Sequence, residues 1–590
     1  MQNALGSLRG RSAFAQRPAP PEVVSVTGID ILYTSAALHA IPLPWSCMRY
    51  RVLVTDEIDP DGLALLTAEP RLQVDEVPTL PAAELLARIP EYDAIVGRSA
   101  SRISKDLLRA GTKLRVVGRA GVGVDNVDMA TATELGVAVI NAPAGNTVAV
   151  AELLFGSLIA LFRHIVRADT SMHTGGWDRS TLLGSELKGR TLGIVGVGRI
   201  GSEVAMRAIA FGMNVIGYDP YVGDERFRAL RIQRASSLEA LLPDADILTL
   251  HTPLTPETTG MIGRRELSRM PSGAVVCNLA RGGIVDDAAL AQALQNGLLR
   301  GACIDAFAQE PLAADHPLRA LSNVLLTPHL GASTAEAQRN VAVDVCEAVR
   351  DALLHGELTR SLNVASVTGT EWRDLQPALL VAQRASAIAR ALLLDQGISI
   401  IQRVRLRVSP DLIGAGAALL SATCAGILEG VIDNGRLNLI NARAMAEARG
   451  IELSIGELAD KDRTATVDVS LGGGMREIGV VATSPPGGVA RVTRIGAFYV
   501  DVTPRQTMIV LTNNDVPGVI GRVGTALGDA CVNIAEYHQA RLAQGGEALA
   551  AISVDGVVAP ALRERLLALP DVRTATIVRF GSSTEPTTGT

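Results

Sequence analysis

Glycines at 196, 198 and 201 set a GxGxxG spacing inside TLGIVGVGRIGSEVAMRAIA, residues 191–210. The motif follows an apolar run and opens an amphipathic stretch, the strand–turn–helix context in which it cradles a dinucleotide. Gly196 permits the tight turn, Gly198 lets backbone N–H groups approach a pyrophosphate, and Gly201 lets the helix pack closely on the strand. The helix N-terminus, partially positive, then faces the anion. Eighteen residues past Gly201, Asp219 ends the next apolar run in YDP. A carboxylate there accepts hydrogen bonds from both ribose hydroxyls and repels a ribose phosphate, which favours NAD over NADP.

Ligands of open α/β sheets sit beyond the carboxyl ends of the strands, so the residues following each apolar run are where chemistry is sought. DILTL (246–250) is followed by His251, Thr252 and Pro253, and AVVCN (274–278) by Arg281. GACI ends at Asp305 with Glu310 close behind, and NVLLT (323–327) is followed by His329. One cation, one carboxylate and one imidazole at the edge where a nicotinamide would lie suit oxidation of an alcohol. Hydride loss from carbon requires the hydroxyl proton to leave, and an imidazole titrating near 6.5 takes it. Glu310 can hold the second ring nitrogen, while the fork of Arg281 suits a substrate carboxylate. His251 has no carboxylate in its own loop and reads as structural or as a cofactor contact.

The same rule places Arg98 and Ser99 after DAIVG (93–97), Arg119 and AGVGVDN after LRVVG (114–118), and Asn146 at the end of APAGN after VAVIN (137–141). Two arginines on glycine-opened loops make an anion site opposite the cofactor. A small substrate with a carboxylate and a second anion, such as phosphate, would use all three arginines.

The elements that must position these groups follow from the spacing. Ten short apolar runs alternate with amphipathic stretches from Arg51 to about Leu362, the pattern of βαβ units and parallel sheets. Ten strands in one sheet is many, so two doubly wound domains are expected. Thr147–Arg167 and Ala332–His355 read as the helical crossovers between them. The expected limits are 48–145 with 331–365 for the substrate side and 146–330 for the cofactor side. An α+β region follows over 366–500, with a helix at 374–395, a strand at 398–408, the uncharged run Leu412–Leu428 and a break at SPPGG (484–488). Residues 507–580 read strand–helix–strand–strand–helix–strand, the ferredoxin-like order.

The chain has 590 residues, net charge −6 and 3% aromatic residues. An acidic, ring-poor protein lacks the basic groove and stacking platforms of a single-strand nucleic-acid binder, so no nucleic acid is expected. Six scattered cysteines without a CxxC pair argue against a disulfide scaffold or a metal site and fit a reducing cytoplasm. Leu412–Leu428 is short for a membrane span and contains three glycines, so a buried helix, and no membrane partner, is expected. Residues 1–47 read as an unstructured over-extended start before Met48, with an Arg-rich organellar transit segment as the alternative. The tail 581–590 reads as disordered.

Together GRSA (97–100), GRAGVGVDNVD (118–128), NAPAGNT (141–147), GVGRIG (196–201), YDP (218–220), LARGGIVD (279–286), the DxFxxEP form at 305–311 and PHLGAST (328–334) resemble the D-isomer-specific 2-hydroxyacid dehydrogenases. The resemblance covers about 49–365 and implies Arg281, Glu310 and His329 as the catalytic trio. It implies NAD contacts from Gly196, Gly198, Arg199, Ile200, Gly201, Asp219, Thr252, Leu279, Ala280, Asp305, Gly331 and Ala332. Substrate contacts would come from Arg98, Ser99 and Asn146, with Arg119 from a neighbouring subunit. The C-terminal part resembles the long branch of the family, which adds an intervening domain and an ACT domain and oxidises D-3-phosphoglycerate with NAD as the entry to serine synthesis. That resemblance implies a homo-oligomer, a tetramer, with L-serine as effector held by Asp515 and Asn533. Asn513 stands where serine-inhibited relatives can carry an aromatic residue. Two other readings remain open on the residues: a glyoxylate or hydroxypyruvate reductase of the same family, and an NAD-sensing corepressor.

Overall fold

The computed structural model describes residues 49–431, 436–485 and 488–580. The expected N-terminal extension and C-terminal tail, and part of the SPPGG break, lie outside the described residues.

Five parallel strands form the first sheet: β1 (Tyr50–Val54), β2 (Leu72–Glu76), β3 (Ala94–Gly97), β4 (Val116–Arg119) and β5 (Ala138–Asn141), in the order β2-β1-β3-β4-β5. Side chains alternate across it. Val52, Val54, Ala94 and Val96 pack on one face with Val341, Val345 and Val349 of the helix Ala335–His355. Leu53, Ile95 and Val117 pack on the other face with Leu85 and Leu107. Each fully buried aliphatic side chain contributes about 1.5–3 kcal/mol, so a sheet apolar on both faces needs both layers covered. The chain returns to this sheet after the second one: Asn363 accepts from Val139 N at 3.0 Å and donates to Val137 O at 2.9 Å.

Seven parallel strands form the second sheet: β6 (Thr191–Val195), β7 (Asn214–Tyr218), β8 (Gln233–Arg234), β9 (Ile247–Leu250), β10 (Ala274–Asn278), β11 (Leu299–Ile304) and β12 (Val324–Leu326). Their order, β12-β11-β10-β9-β6-β7-β8, is doubly wound, and the direction of winding reverses between β6 and β9. The two sheets hold twelve strands rather than ten, because the edge strands β2 and β8 were not expected. The first crossover is two helices, Thr147–Phe162 and Ile165–His173, bent by 64°. His164 sits at the bend with φ +55°.

Beyond residue 365 a six-stranded sheet contains β13 (Arg403–Val408), β14 (Glu452–Glu457), β15 (Thr466–Gly473), β16 (Arg476–Thr483), β17 (Arg491–Ile495) and β18 (Phe498–Val502), ordered β14-β13-β15-β16-β17-β18. β13 is shorter than the expected 398–408. Two helices here, Trp372–Asp395 and Pro410–Leu428, are long and apolar enough to cross a membrane by length and composition. Their apolar surface is spent within the protein: Leu375, Val381, Ile388, Leu419 and Ile427 are fully or almost fully buried in one core. The helices meet at Gly426, where a Cβ would lie 2.1 Å from Gln383 O.

The last sheet is antiparallel: β19 (Thr507–Asn514), β20 (Ile534–Arg541), β21 (Glu547–Val554) and β22 (Val572–Arg579), ordered β20-β21-β19-β22. Helices Val519–Asp529 and Ala561–Leu567 cover one face, giving the ferredoxin-like arrangement. Met508, Val510 and Val578 on the other face join the core around Trp372–Asp395.

Candidate functional site

At the carboxyl end of β6 the three glycines do three different jobs. Gly196 has φ +91°, and a Cβ on it would lie 2.6 Å from His251 O. A Cβ on Gly201 would lie 2.1 Å from Gly196 O, so only glycine lets the helix Arg199–Ala210 seat against the turn. A Cβ on Gly198 would meet nothing within 4 Å. Gly198 is the N-cap of that helix, which has neither a capping side chain nor an acid in its first turn. The first N–H groups and the positive helix end are therefore open to an anion. The carboxylate of Asp219, at the end of β7, accepts from Val197 N and Tyr221 N, both at 2.9 Å, which fixes it beside the turn. Thr252 Oγ1 and His251 Nδ1 are buried and, among the described residues, have no hydrogen-bond partner. Orphaned polar atoms, an open helix end and a fixed carboxylate at the winding reversal fit a dinucleotide.

His251 shares a 3.1 Å hydrogen bond with Thr249 Oγ1 through Nε2, and desolvation pulls it down to about 4. It is a neutral imidazole at the cofactor edge, which agrees with a contact role and not with a base. Ile200 packs into the core beneath the motif, and Leu279 is buried behind β10. Ala280 N donates to Asn278 Oδ1 at 3.2 Å.

The His329 loop lies beyond β12. His329 Nδ1 is 2.9 Å from both carboxylate oxygens of Glu310. A carboxylate only accepts, so in the neutral ring Nδ1 carries the hydrogen and Nε2 keeps its lone pair. Glu310 Oε1 is itself oriented by Phe307 N at 3.0 Å. His329 has φ +56°, a conformation that non-glycine residues keep only where the surroundings impose it. Asp305 imposes it here. Its buried carboxylate accepts from Thr327 Oγ1 at 2.6 Å, Leu330 N at 2.7 Å and Gly331 N at 2.9 Å. Asp305, expected to touch the cofactor, also holds the loop that carries His329 through its carboxylate. Ala332 O accepts from Gln338 Nε2.

Arg281, after β10, reaches across to the first sheet. Its Nε donates to Asp125 Oδ2 at 2.9 Å and its Nη1 to Ala280 O at 2.7 Å. A Cβ on Gly123 would lie 1.8 Å from Arg281 Nη2, so the glycine-rich loop GVGVDN makes room for the guanidinium. Arg119 is a second cation here. Burial, then the charges of Arg281 and Arg98, pull its guanidinium down to about 10. Its Nε, Asn146 Oδ1 and Thr147 Oγ1 are buried without partners among the described residues. Within one chain the charges of Arg98 and Arg281 act on Arg119, the arginine expected from a neighbouring subunit. Ser99 is exposed on the loop after β3. Asp125 was not singled out from the sequence, although it stands in the quoted motif GRAGVGVDNVD.

The two expected effector residues do not meet within one chain. Asp515, past the end of β19, is tied to Arg541 Nη1 and Gly545 N, both at 3.1 Å. Asn533 Nδ2 donates to Asp555 Oδ2 at 2.6 Å. Arg541 ends β20 and Asn533 precedes its start, so the strand's eight residues separate them, roughly 26 Å at 3.3 Å per residue. A cavity of about 510 Å³ on the six-stranded sheet, lined by Arg407, Asp468 and Arg494 among others, holds none of the residues singled out above.

Residues 155–331 match the family model of the NAD binding domain of D-isomer specific 2-hydroxyacid dehydrogenases. The chain is 37% identical over 556 residues to a D-3-phosphoglycerate dehydrogenase of Synechocystis, covering 94% of this chain and 99% of that protein. It is likewise 37% identical over 531 residues to a D-3-phosphoglycerate dehydrogenase of Bacillus subtilis, covering 89% and 98%. Among solved structures, a glyoxylate reductase from Paecilomyes thermophila superposes with a TM-score of 0.50 at 28% identity, over 53% of this chain and 98% of that one. The cofactor is NAD, and the chain belongs to the D-isomer specific 2-hydroxyacid dehydrogenases, in the branch of the D-3-phosphoglycerate dehydrogenases.

Proposed function

We propose that the chain oxidises D-3-phosphoglycerate to 3-phosphohydroxypyruvate with NAD, the first step of serine synthesis. What supports the site assignment is the His329–Glu310 pair at the end of the NAD-binding sheet, together with the cluster in which Arg98 and Arg281 act by charge on Arg119. When bound, the nicotinamide supplies the hydride acceptor. His329 Nε2 takes the hydroxyl proton as the carbinol C–H bond breaks, so the alcohol becomes a ketone and the proton rests on the imidazole. Glu310 holds the ring and stabilises the imidazolium that forms. Arg281 grips the substrate carboxylate and polarises the neighbouring oxygen, and its bond to Asp125 sets the direction of its fork. Arg98, Ser99, Arg119 and Asn146 take the phosphate. The same groups serve the reverse reduction.

The assigned units are 48–145 with 331–365, 146–330, 366–500 and 507–580; packing of the helix Ala335–His355 on the first sheet supports the first. Asp515 and Asn533 lie at opposite ends of β20, so a serine site that uses both requires two copies of the chain. This favours a homo-oligomeric enzyme. Calorimetric titration with serine, before and after Asp515→Ala, tests the effector assignment.

Turnover of phosphorylated and unphosphorylated 2-hydroxy acids tests the substrate. Strong preference for D-3-phosphoglycerate is expected. Indifference to phosphate would favour a glyoxylate or hydroxypyruvate reductase, and no oxidation at mildly alkaline pH would favour an NAD-sensing binding protein.

A further inference from the structure

Asp56 lies two residues past the end of β1, at the carboxyl edge of the first sheet, and is buried. Its backbone has φ +67°, which a non-glycine residue keeps only where several contacts over-determine it. Four such contacts converge on its carboxylate. Oδ2 accepts from Arg98 N at 2.8 Å and Ser101 N at 2.9 Å. Oδ1 accepts from Ser101 Oγ and Thr79 Oγ1, both at 2.8 Å. Every donor but Thr79 belongs to the loop Arg98–Ser101.

The opposite side of that loop is clamped as well. Asn126 Nδ2 donates to Arg98 O at 3.0 Å and to Ser101 O at 2.7 Å. Gly97 keeps the approach open, since a Cβ there would lie 2.6 Å from Thr55 Oγ1 and 3.4 Å from Asp56 Oδ2. The backbone around Arg98 is therefore splinted on both sides. Its guanidinium makes no hydrogen bond or ion pair among the described residues and is left for a ligand. A carboxylate satisfied by two backbone N–H groups and two hydroxyls holds a loop at lower entropic cost than binding would demand of a mobile one. The negative charge of Asp56 also reaches Arg119, which it favours in the charged form.

We propose that Asp56 is a positioning residue for the reaction: it presets the loop Arg98–Ser101, and so fixes where the Arg98 guanidinium and the Ser99 hydroxyl meet the anionic end of the substrate. This rests on the reading of that loop as part of the substrate site. Asp56 touches no reacting atom and acts through Arg98.

The test uses the full chain, with steady-state kinetics on D-3-phosphoglycerate at saturating NAD and calorimetry of 3-phosphoglycerate and of NAD binding. Losing a well-placed hydrogen bond to a charged group costs about tenfold or more in affinity. Asp56→Ala is therefore expected to raise KM and the ligand Kd about tenfold, with a smaller fall in kcat and an unmoved NAD Kd. Asp56→Asn keeps one acceptor oxygen for the two backbone N–H groups and is expected to recover most of that loss. Asp56→Ala combined with Arg98→Ala should lose clearly less than the sum of the two single losses, since Asp56 acts largely through Arg98. An unchanged KM in Asp56→Ala, or fully additive losses in the double variant, would overturn the proposal. Should Asp56→Ala not fold, Ser101→Ala decides: a raised KM with unmoved NAD affinity supports the splint, and an unmoved KM overturns it. A wild-type chain that binds 3-phosphoglycerate without oxidising it overturns the functional reading alone, and one that does neither overturns both.

Discussion

His329 and Glu310 stand nineteen residues apart in sequence, on two loops that meet at the carboxyl end of the seven-stranded sheet, with Nδ1 2.9 Å from both carboxylate oxygens. This contact sets the tautomer of the ring, because Glu310 can only accept. Glu310→Gln presents an amide that can donate to Nδ1 and turn the lone pair inward, away from the substrate. The expected result is a loss in kcat of about a hundredfold or more, with NAD affinity retained. Stopped-flow or steady-state NADH formation, paired with an NAD titration, checks it.

Arg119 is a partly buried cation that feels the charges of two others, which is an unfavourable place for it until an anion arrives. Arg119→Gln is expected to raise KM for the phosphorylated substrate about 10- to 100-fold, the usual worth of a hydrogen bond to a charged group. The same change relieves the like-charge crowding, so the thermal midpoint of the unliganded chain should hold or rise.

The three glycines of the cofactor turn separate folding from binding. Gly198→Ala places its methyl in open space, with nothing within 4 Å. It should leave the unfolding midpoint unchanged while weakening NAD by about tenfold or more through obstruction of the anion's approach. Gly201→Ala drives a methyl to 2.1 Å from Gly196 O and should cost stability as well as affinity. Differential scanning calorimetry and NAD titration on the same two variants distinguish them.

His251 contributes a pH dependence of stability with a definite sign. Its folded form takes up a proton only near 4, whereas an unfolded imidazole does so near 6.5. Between those values the unfolded chain binds the extra proton, so the contribution is fully present above about 6.5 and is lost as pH falls toward 4. Urea unfolding at a series of pH values should show stability falling across this window. His251→Gln should flatten the fall, and identical pH dependence in both chains would count against the assignment.

Much of the architecture is legible from apolar periodicity, because strands covered on both faces read as continuous apolar runs. Strands β2 and β8 escape that signal since they lie at sheet edges: LQVDE buries only Leu72, and Gln233–Arg234 is exposed. The bend at His164 carries neither proline nor glycine, so nothing local marks it. Reading the residue after each strand finds Arg98, Arg119, Arg281 and His329, since chemistry-bearing types stand there. The same rule applied to β1 leads to Asp56, a residue type too common after strands to be noticed before its four donors are seen. Asp305 shows a different limit. Its position at a strand end marks it as functional, but only the loop geometry shows that its carboxylate holds the backbone around His329.

The assignment of His329 as the base is tested most directly by His329→Ala, with turnover of D-3-phosphoglycerate and NAD affinity measured on the same preparation. The expected result is a loss of kcat of about a hundredfold to ten-thousandfold, with an NAD Kd close to that of the wild type. An unaltered rate of oxidation in His329→Ala would contradict it.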